Sequence, residues 1–298
     1  MNQKFFSTPV LFLIFNRPET TNKVFEKIRE IQPRQLFISA DGPRRNRPDD
    51  PVRCEESREI IQRIDWTCDL HTNFAEENLG CRIAVSSGIT WFFNHVADGI
   101  ILEDDCLPDH SFFRFCESLL ETYRTNERVM HIGGANFQDG RMRGAGSYYF
   151  SRLSHVWGWA TWKRAWEKYD VNIPGLRIEE HRFHDVFPDR SMREYWKKNF
   201  ELVYTLKKDT WDYQWQYTVS IHNGLAVIPN RNLVSNIGFN ENATHTTGIT
   251  RILANRPTEM IDHIQHPSTI EENMQADEYT FRKYLKPNKF VKLWRLIH

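Results

Sequence analysis

The chain has 298 residues, with 39 basic and 39 acidic side chains and a formal net charge of zero. This balance lacks the basic excess of nucleic-acid-binding proteins, so we expect no nucleic-acid partner. Aromatic residues make up 13% of the chain, which indicates a folded protein rather than a disordered one. The length fits one large domain or two smaller ones.

Several features predict a cytoplasmic protein. The longest apolar run, Val10 to Phe15, is far too short to cross a bilayer. The amino-terminal residues 1–4 lack the apolar stretch of a signal peptide. Five cysteines are an odd number and form no CxxC pair, so we expect reduced thiols that mostly pack in the core.

The first half of the chain alternates between apolar strands and helices. Strands are predicted at residues 10–15, 36–40, 68–74, 99–102 and 129–132, and helices at about 20–31, 55–64, 83–95 and 112–123. Residues 44–53 are polar and predict an exposed loop. This order predicts an α/β fold with a parallel sheet, right-handed crossovers and helices on both faces.

The second half is richer in glycine and tryptophan. Trp159, Trp162, Trp166 and Tyr169 keep helical spacing, which predicts mainly core packing for Trp162 and Trp166. Further on we expect a loop or lid over residues 170–190, a helix over 194–206, a strand over 225–229 and a polar loop over 235–246. The second half is therefore predicted to be an α+β region.

Three consecutive acids, Glu103, Asp104 and Asp105, directly follow the apolar run Ile100 to Leu102. Open α/β sheets bind ligands at the carboxyl ends of their strands. Side-chain alternation along a strand places Glu103 and Asp105 on one face and Asp104 on the other. Such close carboxylates repel one another, and a hard divalent cation, Mn²⁺ or Mg²⁺, would relieve that repulsion. The alternative is a solvated acidic turn.

The residues after these acids predict a helix start, because Pro108 ends the strand and Asp109 or Ser111 can cap a helix. The sequence contains neither GxxxxGK[ST] nor GxGxxG, the two glycine motifs that cradle phosphates. If a nucleotide binds, its phosphates must therefore be met by a metal and by arginine.

Taken in order, these motifs resemble those of glycosyltransferases with the GT-A fold. The similarity lies in Asn16-Arg17-Pro18, Ser39-Ala40-Asp41-Gly42, Asn78-Leu79-Gly80-Cys81-Arg82 and Glu103-Asp104-Asp105. The run Ile101 to Pro108 with Phe112-Phe113, the Trp157-Gly158-Trp159 segment and Trp211-Asp212 are most similar to the N-acetylglucosaminyltransferase I family. The chain also resembles bacterial sugar transferases encoded near polysaccharide gene clusters, and the resemblance covers about residues 8–245.

The resemblance implies roles for individual residues. Asp41 would bind the nucleotide base, Arg17 and Arg82 would lie near the base or the diphosphate, and Asp104 would contact the ribose. Asp105 would bind the metal directly, with Glu103 reaching it through water or acting from behind the direct ligands. The remaining implied roles are those of His245, on the diphosphate or the metal, and Asp212, as the catalytic base.

The resemblance also implies the substrates and the division of the chain. Residues 1–135 would bind a nucleotide-sugar donor, UDP-linked in the family's manner, and residues 136–250 would form the acceptor side. Trp157 and Trp159 could stack on a sugar there. The acceptor would be a glycan or a lipid-linked glycan, and transfer would invert the anomeric centre. The members best known carry a Golgi membrane anchor, for which this sequence shows no candidate.

Residues 251–298 are predicted to be a helical tail, whose basic stretch 281–298 could touch an anionic membrane surface. An ordinary packed terminal helix is the alternative.

Three further interpretations fit the same residues. Asp212 could simply cap the helix that follows it. The whole protein could be a sugar nucleotidyltransferase, although Asn16-Arg17-Pro18 stands where such enzymes carry a glycine-rich signature. It could also be an inactive protein that binds nucleotides or glycans.

Overall fold

A computed structural model describes residues 6–173, 182–239 and 253–286. His245, the part of the predicted polar loop beyond residue 239, and residues 287–298 of the basic tail lie outside the described residues. The strands in the described part are β1 Val10–Ile14, β2 Gln35–Ala40, β3 Asp69–Phe74, β4 Asp98–Glu103, β5 Cys106–Pro108, β6 Val129–Gly133, β7 Tyr148–Ser151, β8 Trp159–Trp162, β9 Leu225–Pro229 and β10 Val234–Asn236.

The helices alternate with these strands in the first half and cluster in the second. They are α1 Pro18–Ile31, α2 Asp50–Arg58, α3 Cys81–Phe93, α4 His110–Thr122, α5 Lys163–Trp166, α6 Arg182–Val186, α7 Arg190–Tyr204, α8 Asp212–Ile221 and α9 Met274–Thr280. A 3₁₀ turn, Glu59–Arg63, continues α2, and a π-helical turn, Phe281–Leu285, continues α9. No described helix is both long and apolar enough to cross a membrane.

Eight strands form one sheet in the order β3-β2-β1-β4-β8-β6-β9-β7. The first four are parallel, as predicted, because each is joined to the next by a helical crossover. Strand β8 runs antiparallel to both β4 and β6, and β7 runs antiparallel to β9, so the sheet is mixed. Strands on both sides of residue 135 share this sheet.

Helices cover both faces of the sheet, which confirms the predicted α/β fold class. Along β1, Val10, Phe12 and Ile14 belong to one apolar core together with α1 and α4. Leu11 and Leu13 belong to a second core together with α3 and α8. All five β1 residues are buried, since a central parallel strand has no solvent face.

The structure corrects several predicted boundaries. Helix α1 starts at Pro18 rather than at Thr20, because proline suits the first turn of a helix. Helix α2 starts at Asp50, within the predicted loop 44–53. Strands β5, β7 and β10 were not predicted, since three or four residues carry too little pattern to be seen. Helix α6 lies within the predicted loop 170–190.

The predicted helical stripe from Trp159 to Tyr169 is wrong in its first part. Residues Trp159–Trp162 form strand β8, and only Lys163–Trp166 are helical. Trp162 belongs to the core with α1 and α4, whereas Trp159 belongs to the other core, as strand alternation requires. Core packing is confirmed for Trp162 and Trp166, but Trp159 is fully buried and cannot stack on a ligand.

A cluster of four tryptophans packs under the second half of the sheet. We call it the tryptophan cluster; its members are Trp159, Trp166, Trp211 and Trp215. The Trp159 ring stacks on Trp211 with centroids 5.7 Å apart and lies 5.5 Å from Trp215. The cluster therefore joins β8 to the start of α8.

Buried His131 in β6 extends this cluster. Its ring stacks on Trp159, and its Nδ1 accepts a hydrogen bond of 3.1 Å from the Trp215 indole N–H. Its Nε2 then donates to the His155 carbonyl, 3.0 Å away. Burial lowers the pKa of His131 to about 3, so the ring is neutral in the folded protein near neutral pH.

Residues 253–286 pack on the loop after β6 and on strand β7. Asp139 accepts from Arg256, Lys283, Tyr279 and Tyr284. Buried Asp277 accepts from the Ser151 hydroxyl and the Arg152 backbone N–H, and Glu272 forms an isolated bridge with Phe150. This segment therefore covers the β7 edge of the sheet.

The buried histidine predicts a pH dependence of stability. Below pH 6.5 the unfolded chain protonates residue 131, whereas the folded protein resists protonation until about pH 3, so the folded state loses stability as the pH falls through that range. His131→Phe should cost about 1–3 kcal/mol at pH 7, since it leaves the Trp215 N–H unpaired. That deficit should shrink by about 2 kcal/mol at pH 5. Urea unfolding of both proteins at the two pH values measures this, and equal deficits would contradict it.

Candidate active site

The acid run, Glu103 to Asp105, lies where the central strand β4 ends. Strand β4 pairs with β1 on one side and β8 on the other, so its register is fixed by both neighbours. Asp104 and Asp105 form a turn that leads into β5, which pairs with β10. The Asp105 carbonyl accepts from the Ile237 N–H at 2.8 Å, and this bond fixes the turn from the other side.

A single arginine engages two of the three acids. Arg17 Nη2 lies 2.6 Å from Asp104 Oδ1, and Arg17 Nη1 donates to Asp105 Oδ2 at 2.6 Å. The predicted separation of Asp104 from Asp105 on opposite faces is therefore wrong. The strand ends at Glu103, so the alternation does not continue beyond it.

The surroundings set the charges of these groups. Burial and the charge of Asp105 raise the pKa of Glu103, and Arg17 only partly offsets them. Burial also raises the pKa of Asp104, against the opposing charge of Arg17. Burial alone would lower the pKa of Arg17, but Asp104 and Asp105 outweigh it and raise that pKa. Arg17 therefore stays charged beside the acids.

Asp104 is held more firmly than its neighbours. Its side chain is only 3% exposed, and Oδ2 accepts from the Phe15 backbone N–H at 3.1 Å. Asp105 is less constrained: Oδ2 faces Arg17, whereas Oδ1 contacts only the Cys106 thiol at 3.4 Å within the described residues. The Glu103 carboxylate has no hydrogen bond or ion pair to any residue described here, which leaves its oxygens available to a ligand.

The structure brings Asp212 near the acid run, because Ile101 of β4 pairs with Trp159 of β8 and the Trp159 ring stacks on Trp211, the neighbour of Asp212. Asp212 is the first residue of α8, and its charge is one of those that raise the pKa of Glu103. Its carboxylate accepts from the Thr210 hydroxyl. The N-cap residue of α8 is Trp211, without a side-chain capping bond, so Asp212 is not the cap. Its charge still favours the helix, because the amino-terminal end of a helix attracts anions.

Four residues near Asp212 were not predicted to belong to the site: Cys81, Tyr169, Lys208 and Asp209. Burial raises the pKa of the Cys81 thiol, and the charges of Glu103 and Asp212 add to that rise. The Tyr169 hydroxyl donates to the Trp211 carbonyl at 3.2 Å. Lys208 lies 3.6 Å from the centre of the Tyr213 ring. Of these four residues, only Cys81 belongs to a motif visible in the sequence, Gly80-Cys81-Arg82. The other three come near Asp212 only through the tertiary fold.

Arg82 lies in the first turn of α3, with its Nε 3.6 Å from Asp209 Oδ1. Its side chain is therefore on the Asp212 side of the site. Its positive charge acts to lower the pKa of Tyr169, although burial outweighs it and raises that pKa.

Asp41 has a clear local function at the end of β2. Its Oδ1 accepts from the Gly42 and Leu79 backbone N–H groups at 2.8 Å, and Oδ2 accepts from the Asn78 amide at 2.8 Å. It thus ties the end of β2 to the loop before α3. Base binding by Asp41 stays a prediction.

An aromatic pair borders the acid run. The half-buried rings of Trp157 and Phe239 lie 5.7 Å apart, and Gly238 packs directly against Asp105 and Arg17. The Trp157 side chain is partly exposed, and sugar stacking by it stays a prediction.

No group of three or more His, Cys, Asp or Glu side chains forms a metal cage among the residues described. The donor chemistry nevertheless fits a hard cation bound together with a ligand. Glu103 and Oδ1 of Asp105 supply carboxylate oxygens, and Mg²⁺ and related ions usually complete their shells with water and phosphate. Arg17 pairs with only two of the three acids, so a cation would supply the positive charge that Glu103 lacks.

Comparisons with known proteins add little to this geometry. The chain matches no protein-family model, and no curated protein matches its sequence. The structure of TarS from S. aureus is 7% identical, with 76% of this chain and 59% of that chain covered and a TM-score of 0.44. HddC from Yersinia pseudotuberculosis is 11% identical, with 54% and 80% covered and a TM-score of 0.33. The chain thus spans less than two thirds of TarS, and neither likeness decides the function.

The close approach of Gly238 predicts a sensitive position. A Cβ there would collide with Asp105 Oδ2 and lie 2.7 Å from Arg17 Nη1. These two atoms end flexible side chains, but the added Cβ would also lie 2.8 Å from Asp105 Cβ, so Gly238→Ala should fold with a loss of about 1–3 kcal/mol. Its affinity for UDP with Mn²⁺ should fall by about tenfold or more. Calorimetry and thermal unfolding test this, and unchanged UDP affinity would contradict the placement of the ligand beside Gly238.

Proposed function

We propose that the protein is a metal-dependent glycosyltransferase that moves a sugar from a nucleotide-sugar donor, UDP-linked, to a hydroxyl of a glycan or lipid-linked glycan. The observation that carries the proposal is that the pairing of β4 with β8, and the stacking of Trp159 on Trp211, place the end of β4 with its acid run near Asp212 at the start of α8. One part supplies a place for a diphosphate and its cation, and the other supplies a separate carboxylate to accept a proton.

Arginine donors support the diphosphate end of the site. Arg17 is charged and about one-third exposed beside Asp105, and Arg82 lies in the first turn of α3. Guanidinium groups bind phosphate oxygens through two parallel hydrogen bonds. Glu103 and Asp105 would hold the cation, which when bound neutralises charge that develops on the leaving diphosphate.

The acceptor end depends on Asp212. Transfer forms a bond between the acceptor oxygen and the anomeric carbon, and it breaks the bond from that carbon to the donor phosphate. The acceptor proton passes to the Asp212 carboxylate, which acts as a general base. A base apart from the leaving group favours attack from the opposite side and hence inversion. Trp157 would stack on a sugar ring.

The first test addresses the cation. Asp105→Asn should keep the fold and lose metal-dependent UDP binding, because an amide oxygen is a weaker ligand for a hard cation than a carboxylate. Titration calorimetry with and without Mn²⁺ measures this. Asp109→Asn is the matched control, since Asp109 caps α4 and asparagine caps a helix about as well. Equal metal-dependent binding by wild type and Asp105→Asn would place the metal site elsewhere.

The second test addresses the base. Asp212→Asn should keep normal stability and donor binding but lower the transfer rate by roughly 10²–10⁴, the usual contribution of a positioned base. Asp170→Asn changes an exposed acid; it is the control and should transfer normally. If Asp212→Asn transfers within about fivefold of wild type, far above that range, Asp212 is not the base.

The reaction class is tested without an acceptor. Purified protein with Mn²⁺ and a panel of nucleotide sugars should slowly release the nucleoside diphosphate, because water can replace the acceptor. Release of pyrophosphate from a nucleoside triphosphate and a sugar phosphate would instead identify a nucleotidyltransferase. Binding without either product would identify an inactive binding protein.

A further inference from the structure

We propose that Arg17 occupies the cation position of the acid run in the free protein, so that a metal ion binds well only after a phosphate-bearing ligand has drawn Arg17 away. This inference rests on the metal site of the proposed function. It assigns Arg17 a gating role toward the metal in addition to any contact with the donor. The ligand class is a nucleoside diphosphate or another diphosphate.

The geometry of the ion pairs carries the first step. The two terminal nitrogens of one guanidinium each lie 2.6 Å from a carboxylate oxygen, one on Asp104 and one on Asp105. A planar guanidinium can bridge two carboxylates in this way, whereas a lysine ammonium acts as a point charge. The bridge occupies Asp105 Oδ2, and the charge of the guanidinium also opposes a cation at the neighbouring Oδ1.

The space around the bridge carries the second step. Gly238 packs so closely on Asp105 Oδ2 and Arg17 Nη1 that even a methyl group would not fit. Asp104 is held in place by the Phe15 N–H and cannot move aside easily. The bridge therefore occupies Asp105 Oδ2 and keeps a positive charge next to Oδ1, so a cation binds well at Asp105 only when the guanidinium has moved away.

Arg17 is free to make that movement with its side chain alone. Its carbonyl accepts from the Thr21 N–H at 2.9 Å and from the Thr20 hydroxyl at 3.2 Å, so α1 fixes the backbone. The side chain itself is 35% exposed, so it can move away from the acids toward solvent.

A diphosphate favours the movement because it offers the guanidinium new anionic partners as it leaves the acids. The metal then replaces Arg17 as the positively charged partner of Asp104 and Asp105. The metal and the diphosphate must by linkage strengthen each other's binding by the same factor. Without Arg17 on the acids, a metal would bind on its own and this coupling would weaken.

The experiment measures Mn²⁺ binding directly, by electron paramagnetic resonance of free Mn²⁺, with and without UDP. Wild type should bind Mn²⁺ weakly alone and about tenfold or more tightly with UDP. Arg17→Gln should bind Mn²⁺ alone about tenfold more tightly than wild type and gain little from UDP. Thermal unfolding confirms that each variant is folded.

Two further variants separate gating from net charge. Arg45→Gln removes an exposed charge that pairs only with Glu77 among the described residues, and it should behave as wild type. Arg17→Lys keeps the charge but cannot bridge both acids, so it should also bind Mn²⁺ alone more tightly than wild type. It serves as the second test if Arg17→Gln fails to fold.

Three outcomes would overturn the inference. The first is wild type that binds Mn²⁺ tightly without UDP. The second is Arg17→Lys and Arg17→Gln with wild-type Mn²⁺ affinity. The third is the absence of Mn²⁺ binding in every variant, with UDP or without it. The third would also remove the metal from the proposed function, whereas the first two leave that function standing.

Discussion

Repulsion among three adjacent carboxylates is the constraint around which the site is arranged. The acid run follows a strand buried on both sides, so water cannot fully screen its charges. The fold brings one guanidinium to it from the neighbouring strand's end, and Arg17 bridges two of the three acids. Because β1 and β4 are adjacent and parallel, the residues that follow them meet at one edge of the sheet.

Aromatic packing, rather than ion pairs, holds the side of the site that carries Asp212. The tryptophan cluster and His131 join β6, β8 and the start of α8 through stacked rings and one buried hydrogen bond. These contacts involve no charged group, so pH and salt leave them largely unchanged near neutrality. The start of α8, which carries Asp212, is therefore held by apolar packing. On the other side of the site, the Arg17 side chain can move relative to the acid run.

Local patterns explain why part of this structure could be predicted. The apolar strands, the acids at the end of β4 and the cap at Asp109 each depend on a few neighbouring residues, and the α/β class follows from their order. The contact of Arg17 with Asp104 and Asp105 joins residues almost ninety positions apart, and only the strand order reveals it. Trp159 shows a different kind of error, in which a local pattern was present but misleading. Its helical spacing was accidental, and strand pairing decided its conformation.

The likeness to the N-acetylglucosaminyltransferase I family stays a resemblance of motifs in their order. The fold places the motifs that contain Arg17, Asp104-Asp105 and Trp211-Asp212 near one another, which a list of short patterns cannot do. Asp41 illustrates the distinction: its hydrogen bonds explain its local role in joining β2 to the next loop. They neither require nor exclude a nucleotide base.

The packing of residues 253–286 on strand β7 has a consequence for how the protein is made. β7 lies at the end of the sheet, and its bridge to Glu272 and the bonds of Asp277 to Ser151 and Arg152 form only when those residues have left the ribosome. Until then the newly made sheet has an open edge, which is a template for pairing with other chains. Synthesis that stops short of residue 272 would therefore yield a product prone to aggregate, although every residue of the acid run and Asp212 had been made.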